Sequence, residues 1–268
     1  MIQVENYSKA YRDTVAVDNL SFEVPGGAIL GLVGQNGAGK TTTLRALSGI
    51  IPPTEGRLLI DGMDIVKQPK ETKQRLAYIP DEPRLFEGIT VWEHLHFNAV
   101  AYQVADWQSK AEQLLEQFEL SDRKDSAAGE LSRGMKQKVA ICCNFLYDPK
   151  AILFDEPHTG LDPQAIRTMK QAILDRAASG AAVIVSSHLL VLIEDLCSHL
   201  LILAKGKSRF CGSLEELKRN YADLGADNSL EEIFLQTTSS ANDSGKLSEP
   251  ETAPEEQSEP DSSSAAAD

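Results

Sequence analysis

The stretch AILGLVGQNGAGKTTTLRALSGI, residues 28–50, reads as a strand, a glycine-rich loop and a helix in direct succession. Residues 28–34 are apolar or glycine, as in a strand buried on both faces, and Leu44, Leu47 and Ile50 recur at helical spacing. Between them Gly34, Gln35, Asn36, Gly37, Ala38, Gly39, Lys40 and Thr41 satisfy G-x-x-x-x-G-K-[ST]. The glycines let the backbone curl so that successive N–H groups point inward, and the following helix adds its own unpaired donors and dipole. A turn that only joined strand to helix would give no reason for a lysine and a threonine after the last glycine. Gly34, Asn36, Gly37, Ala38, Gly39, Lys40, Thr41 and Thr42 are therefore candidate contacts to a nucleoside triphosphate. Lys40 is the cation for its outer phosphates and Thr41 a hydroxyl ligand for Mg2+.

Working outward, residues 2–24 alternate apolar and polar and break at Pro25-Gly26-Gly27, as strands ending in a turn do. RLLIDG is a further short strand. From about 86 to 120 the pattern turns helical, and LSRGMKQKVAICCNFLYDPK reads as another helix with Ser132 as its cap. AILFDEP and AAVIVSSH are apolar strands on either side of a helix over about 163–178. Strands alternating with helices predict an α/β fold with a mostly parallel sheet covered on both faces. AILFDEP places Asp155 at the end of its strand, where open parallel sheets bind ligands. A carboxylate there can hold Mg2+, and Glu156 beside it can polarise an attacking water.

Composition narrows the function classes. The 268 residues carry 26 Lys and Arg against 40 Asp and Glu, a net charge of −14. Half of that charge lies from Thr237 onward, where eight carboxylates face only Lys246. No basic stripe points to nucleic acid as a partner. Residues 237–268 are rich in Pro, Ser and Glu and nearly devoid of large apolar side chains, so a disordered acidic tail is expected after a folded unit over 1–236. Cys142, Cys143, Cys197 and Cys211 lack metal-ligand spacing and read as buried thiols. No charged and apolar leader opens the chain, and no run of about 18 apolar residues occurs. Any membrane attachment is expected to run through a partner.

With these motifs in order, residues 1 to about 237 resemble the ATP-binding subunits of ABC transporters. LSRGM (131–135) is similar to the family's LSGGQ signature, HTGLD (158–162) to its D-loop, and SSH, ending in His188, to its switch histidine. Tyr11 fits the aromatic residue that stacks on adenine. The resemblance implies a P-loop NTPase (RecA-like) core with an N-terminal antiparallel β subdomain and an inserted helical subdomain over about 86–148. It also implies ATP and Mg2+ as ligands, with Lys40, Glu156 and His188 as the catalytic set, and Thr41 and Asp155 on the metal. ATP would lie between the phosphate loop of one subunit and Ser132 and Gly134 of another, in a homodimer or a heterodimer with a related ATPase. The partner implied is a membrane-spanning permease subunit, met from the cytoplasmic side, and the short C-terminal extension resembles exporters. Phe86, Trp92 and Phe97 are candidate permease contacts, with core packing as the alternative for each.

Two positions depart from the family pattern. Asp81, after Tyr78-Ile79-Pro80, stands where a glutamine is usual; it is either a nucleotide-site residue that meets Mg2+ or water through an oxygen or a polar loop acid, and when ionised it cannot donate a hydrogen bond. Arg133 replaces the first glycine of the signature and leaves Ser132 and Gly134 intact. The alternatives are a soluble ATPase of the same type acting on nucleic acid or ribosomes, and a regulatory subunit with weak turnover. The first normally has paired domains, a long coiled coil or an iron–sulphur region. The second has only the missing glutamine in its favour. His94, His96 and His199 have no partners at metal spacing and read as structural or surface residues.

Overall fold

A computed structural model describes residues 1–220 and 230–243. Two sheets divide the chain. β1 (Ile2–Tyr11), β2 (Thr14–Val24), β4 (Glu55–Ile60) and β5 (Met63–Asp64) form an antiparallel sheet in the order β2-β1-β4-β5. The second sheet has the order β10-β9-β3-β8-β7-β6. It is built from β3 (Ile29–Gly34), β6 (Leu76–Ile79), β7 (Ala151–Asp155), β8 (Ala182–Ser186), β9 (His199–Ala204) and β10 (Lys207–Ser213). Every pairing in it is parallel except the β9–β10 hairpin. The expected mostly parallel sheet is thus present, with an antiparallel subdomain built from the N-terminal strands.

Period-two alternation explains why the central strands are apolar throughout. Leu30, Leu32, Leu153, Ile184, Leu201 and Leu203 point to one face, where they pack with α1 (Lys40–Leu47) and the antiparallel sheet. Ile152, Phe154, Val183, Val185 and Ile202 point to the other. There they meet α5 (Arg133–Phe145), α6 (Pro163–Ala178) and α7 (Leu190–Leu196). Polar residues enter only where strands end, and those ends of β3, β6, β7 and β8 share one edge.

The segment 86–148 contributes α3 (Val91–Ala101), α4 (Trp107–Gln117) and α5. Thr90 starts α3 with a full capping box, exchanging hydrogen bonds with Glu93. α2 (Pro69–Lys73), α7 and β5 have no counterpart in the sequence reading, and each is too short to display a period. α8 (Leu214–Asn220) follows the β9–β10 hairpin. α9 (Leu230–Asp243) runs past the expected border at 237, because Leu230 and Ile233 are buried in the core and Thr237 bonds back to the Ile233 carbonyl. The rest of the expected tail, 244–268, lies outside the described residues. Cys142, Cys143 and Cys197 are buried as anticipated, whereas Cys211 on β10 is exposed.

Candidate functional site

The phosphate loop leaves β3 at Gly34 and enters α1 at Lys40. Gly39, the residue before the helix, has φ +107°, and a Cβ there would lie 2.8 Å from the Ala16 carbonyl. Only glycine fits a left-handed backbone against that strand. Gln35, Asn36 and Gly37 are exposed, while Ala38, Gly39 and Lys40 are buried. The Lys40 ammonium folds back and donates to the Gly34 carbonyl at 2.7 Å and more weakly to Gln35. Burial lowers its pKa, and the negative charges of Glu156 and Asp155 oppose that shift. A cation held by two carbonyls and drawn toward two acids is ready to exchange those carbonyls for phosphate.

Asp155 closes β7 and is buried. Its Oδ1 accepts from the Thr41 hydroxyl at 3.2 Å and its Oδ2 from the Tyr78 hydroxyl at 3.3 Å. Burial raises its pKa, and these two hydrogen bonds work against the shift. Burial also pushes the Tyr78 phenol up to about 12, so it stays a donor. The paired oxygens of Thr41 and Asp155 suit a hard cation, since neighbouring ligands of octahedral Mg2+ at about 2.1 Å lie roughly 3 Å apart.

Glu156 stands immediately beyond the strand with φ +50°, while its N–H still bonds the Ser186 carbonyl of β8 at 2.9 Å. The turn sends its carboxylate toward His188, whose Nδ1 lies 2.8 Å and whose backbone N 3.2 Å from Oε2. His158 also comes in, with Nδ1 4.0 Å from the same oxygen and its ring 5.0 Å from that of His188. Burial lowers the His158 pKa. Sequence reasoning placed His158 only within a loop and Tyr78 only within a strand motif. The available signal was position, since each sits at or just past the end of a strand of the parallel sheet.

Thr41, Asp81, Asp155 and Glu156 line one cleft of about 870 Å3, together with Tyr78 and Arg45. Ser132, Gly134 and Tyr11 are not among its lining residues. Ser132 caps α5, its Oγ accepting from the Met135 N–H at 3.3 Å. A Cβ on Gly134 would fall 2.3 Å from the Gly160 carbonyl, so the head of α5 and the loop after Glu156 touch backbone to backbone. Tyr11 is exposed at the β1–β2 hairpin, near the Ala16–Val17 segment that packs on Gly39, whereas Tyr7 is fully buried. Among the aromatics of the helical segment, Phe86 and Phe97 are more than half exposed and meet edge to face at 5.7 Å. Trp92 instead packs on Trp107. His94 is buried, accepting the Phe86 N–H, which fits the structural role expected of it. Among the described residues, no helix is long and apolar enough to cross a membrane.

Residues 17–159 match the family model described as ABC transporter. The ABC-type transporter ATP-binding protein EcsA of Bacillus subtilis is 33% identical over 240 residues, covering 89% of this chain and 96% of EcsA. The SkfA peptide export ATP-binding protein SkfE, also of Bacillus subtilis, is 34% identical over 212 residues, covering 77% of this chain and 87% of SkfE. A solved ATP-binding subunit of an ABC transporter superposes with a TM-score of 0.84 at 34% identity, covering 88% of this chain and 99% of that one.

Proposed function

The chain belongs to the ABC transporter family as an ATP-binding subunit and is an ABC-type ATPase, and from that premise we propose how its residues carry the reaction and what the reaction drives. ATP lies along the phosphate loop, its phosphates on the N–H groups of residues 34–42 and on Lys40, with its adenine against Tyr11. Thr41 and Asp155 would hold Mg2+, which when bound neutralises phosphate charge. Glu156 takes a proton from the attacking water as the γ-phosphoryl group leaves ADP. His188 orients Glu156. Its Nδ1–H is committed to the carboxylate, so donation to the γ-phosphate from Nε2 requires the doubly protonated ring. Asp81 borders the same cleft.

The observation that carries this reading is the cluster at adjacent strand ends, with Thr41 on Asp155 and His188 on Glu156. An intact base–histidine pair favours turnover over a purely regulatory subunit. The overall charge of −14 gives no support to a nucleic-acid partner.

Two copies meet head to tail, with Ser132 and Gly134 of one closing on the γ-phosphate of the other. The pair is a homodimer or includes a related ATPase, and it works at the cytoplasmic face against a membrane-spanning permease. The exposed Phe86 and Phe97 beside the cleft are the apolar surface offered to that permease. The name of SkfE associates it with peptide export, which supports export as the direction here. The folded unit is read as 1–236 with α9 carrying its last helix on to Asp243, and the helical subdomain as 86–148. Replacing Glu156 by Gln tests the reading. Hydrolysis is expected to fall by about 10²–10⁴, while Mg-ATP binding persists and gel filtration moves toward a dimer. Unchanged turnover would remove Glu156 from its role, and a monomer at saturating Mg-ATP would count against the sandwich.

A further inference from the structure

The two departures from the family pattern touch each other. Arg133 Nη2 lies 3.0 Å from Asp81 Oδ1 and 4.0 Å from Glu82 Oε1. We propose that Arg133 is the positioning residue that makes a carboxylate workable at position 81, by neutralising it and tethering its loop to the head of α5.

An acid at position 81 creates a problem on its own. It lines the same cleft as Asp155 and Glu156. An unpaired carboxylate there, beside Glu82, Asp155 and Glu156, adds to the repulsion among these acids and against an incoming polyphosphate. A guanidinium at the first turn of α5 is unfavourable by itself, because that end of a helix already carries positive partial charge. Each residue removes the other's defect.

The tether has more than one strand. Gln137 follows Arg133 by four residues, hence on the same face of α5, and its amide donates to the Pro80 carbonyl, the residue before Asp81. On its other side the Arg133 stem lies over Gly160, where a Cβ would approach Arg133 Cγ to 3.1 Å and Cδ to 3.2 Å. One side chain thus connects the loop after β6, the head of α5 and the loop that follows Glu156. A neutral glutamine at 81 with a glycine at 133 would have neither the charge conflict nor this link.

The inference rests on the reading that the cleft beside Asp81 receives the outer phosphates. Its test compares four full-length proteins: the parent, Arg133→Gly, Asp81→Gln and the double variant. Each is measured for steady-state Mg-ATP hydrolysis and for equilibrium binding of a fluorescent ATP analogue. Both side chains of the pair are about half exposed, which limits their coupling to about fivefold. Arg133→Gly is expected to weaken nucleotide binding and raise KM by up to that factor. Adding Asp81→Gln is expected to recover most of the loss, a rescue that a merely structural arginine cannot produce. Arg133→Ala, which keeps a strong helix former at the head of α5, should behave as Arg133→Gly does, and Arg133→Lys should lie between it and the parent. Equal losses in Arg133→Gly and the double variant would overturn the proposal, as would an Arg133→Gly protein indistinguishable from the parent. Glu156→Gln in parallel separates the two readings. Its turnover reports on the base, whereas the Asp81–Arg133 coupling is read from affinity ratios that do not need the base.

Discussion

Glu156 carries its carboxylate on a backbone with φ +50°, and the cost of that geometry can be measured. A side chain in the left-handed region costs about 1–2 kcal/mol relative to the right-handed one. Glycine escapes this, but loses about 0.5–1 kcal/mol more backbone entropy than alanine on folding. Comparing Glu156→Ala with Glu156→Gly isolates the strain, because both variants lose the same carboxylate and the same two hydrogen bonds from His188. The glycine variant is expected to be the more stable by about 0.5–1 kcal/mol, since relief of strain exceeds the added entropy. At about 2–4 °C per kcal/mol for a domain of this size, its melting temperature should be roughly 1–4 °C higher. The assay is a nucleotide-free thermal melt of the two proteins in one buffer. Both should be equally poor ATPases, down by about 10²–10⁴. A glycine variant melting at or below the alanine variant would refute the idea that the base is held in a strained turn. The strain has an evident structural source. Glu156 must still donate its N–H to Ser186 on the neighbouring strand while turning its side chain toward His188.

Gly134→Ala places a methyl carbon 2.3 Å from the Gly160 carbonyl, so the head of α5 and the loop after Glu156 must separate. Such overpacking costs about 1–3 kcal/mol; a lower melting temperature and a loss of Mg-ATP-dependent dimerisation of at least tenfold, read by gel filtration, are expected, and a protein that dimerises normally would show that the contact is dispensable. Because burial lowers the His158 pKa, the unfolded chain takes up that proton at a higher pH than the folded one. The stability tied to His158 is therefore fully present above the unfolded value near 6.5 and is lost as pH falls through it toward the folded pKa. Urea titrations between pH 5 and 8 should show stability rising with pH in the parent and a flatter profile in His158→Gln, with identical profiles counting against the assignment.

What the sequence disclosed follows from how each feature is encoded. The phosphate loop, Asp155, Glu156 and the strand before His188 were legible because each is a local pattern, with an apolar run ending on residues whose chemistry has no use in a core. The strands of the parallel sheet were legible for the same reason. The Asp81–Arg133 pair was visible only as two separate anomalies, since its members stand 52 positions apart in the chain. His158 and Tyr78 were passed over because their importance comes from strand order: β6, β7 and β8 lie side by side, which no local window reveals. The seven residues of α7 fall below the 11–18 residue window in which a helical period can be recognised. The border at 237 was set by polar composition, whereas α9 is held by its apolar side chains before that point, Leu230 and Ile233.

The geometry of α5 bears directly on why a second copy is invoked. Ser132 uses an oxygen lone pair to cap the helix, accepting from the Met135 N–H, so its hydroxyl proton stays available to donate. With the unpaired N–H groups of the first turn it forms an anion-binding end, as α1 does behind the phosphate loop. Within one subunit the two ends do not converge on one cleft. Gly34, Gln35 and Asn36 of the phosphate loop line one cleft with Ser187 and His188, Thr41, Asp81, Asp155 and Glu156 line another, and Ser132 and Gly134 line neither. Exposure of Ser132 leaves its donor facing solvent. In the proposed sandwich, a phosphate gripped by both ends takes its α5 from another chain. Ser132→Ala should accordingly cost about 1 kcal/mol of stability through the lost cap and weaken Mg-ATP-driven dimerisation as well, while leaving nucleotide binding by the monomer intact. A variant that bound ATP more weakly as a monomer would place Ser132 in its own subunit's site and remove this reason for the sandwich.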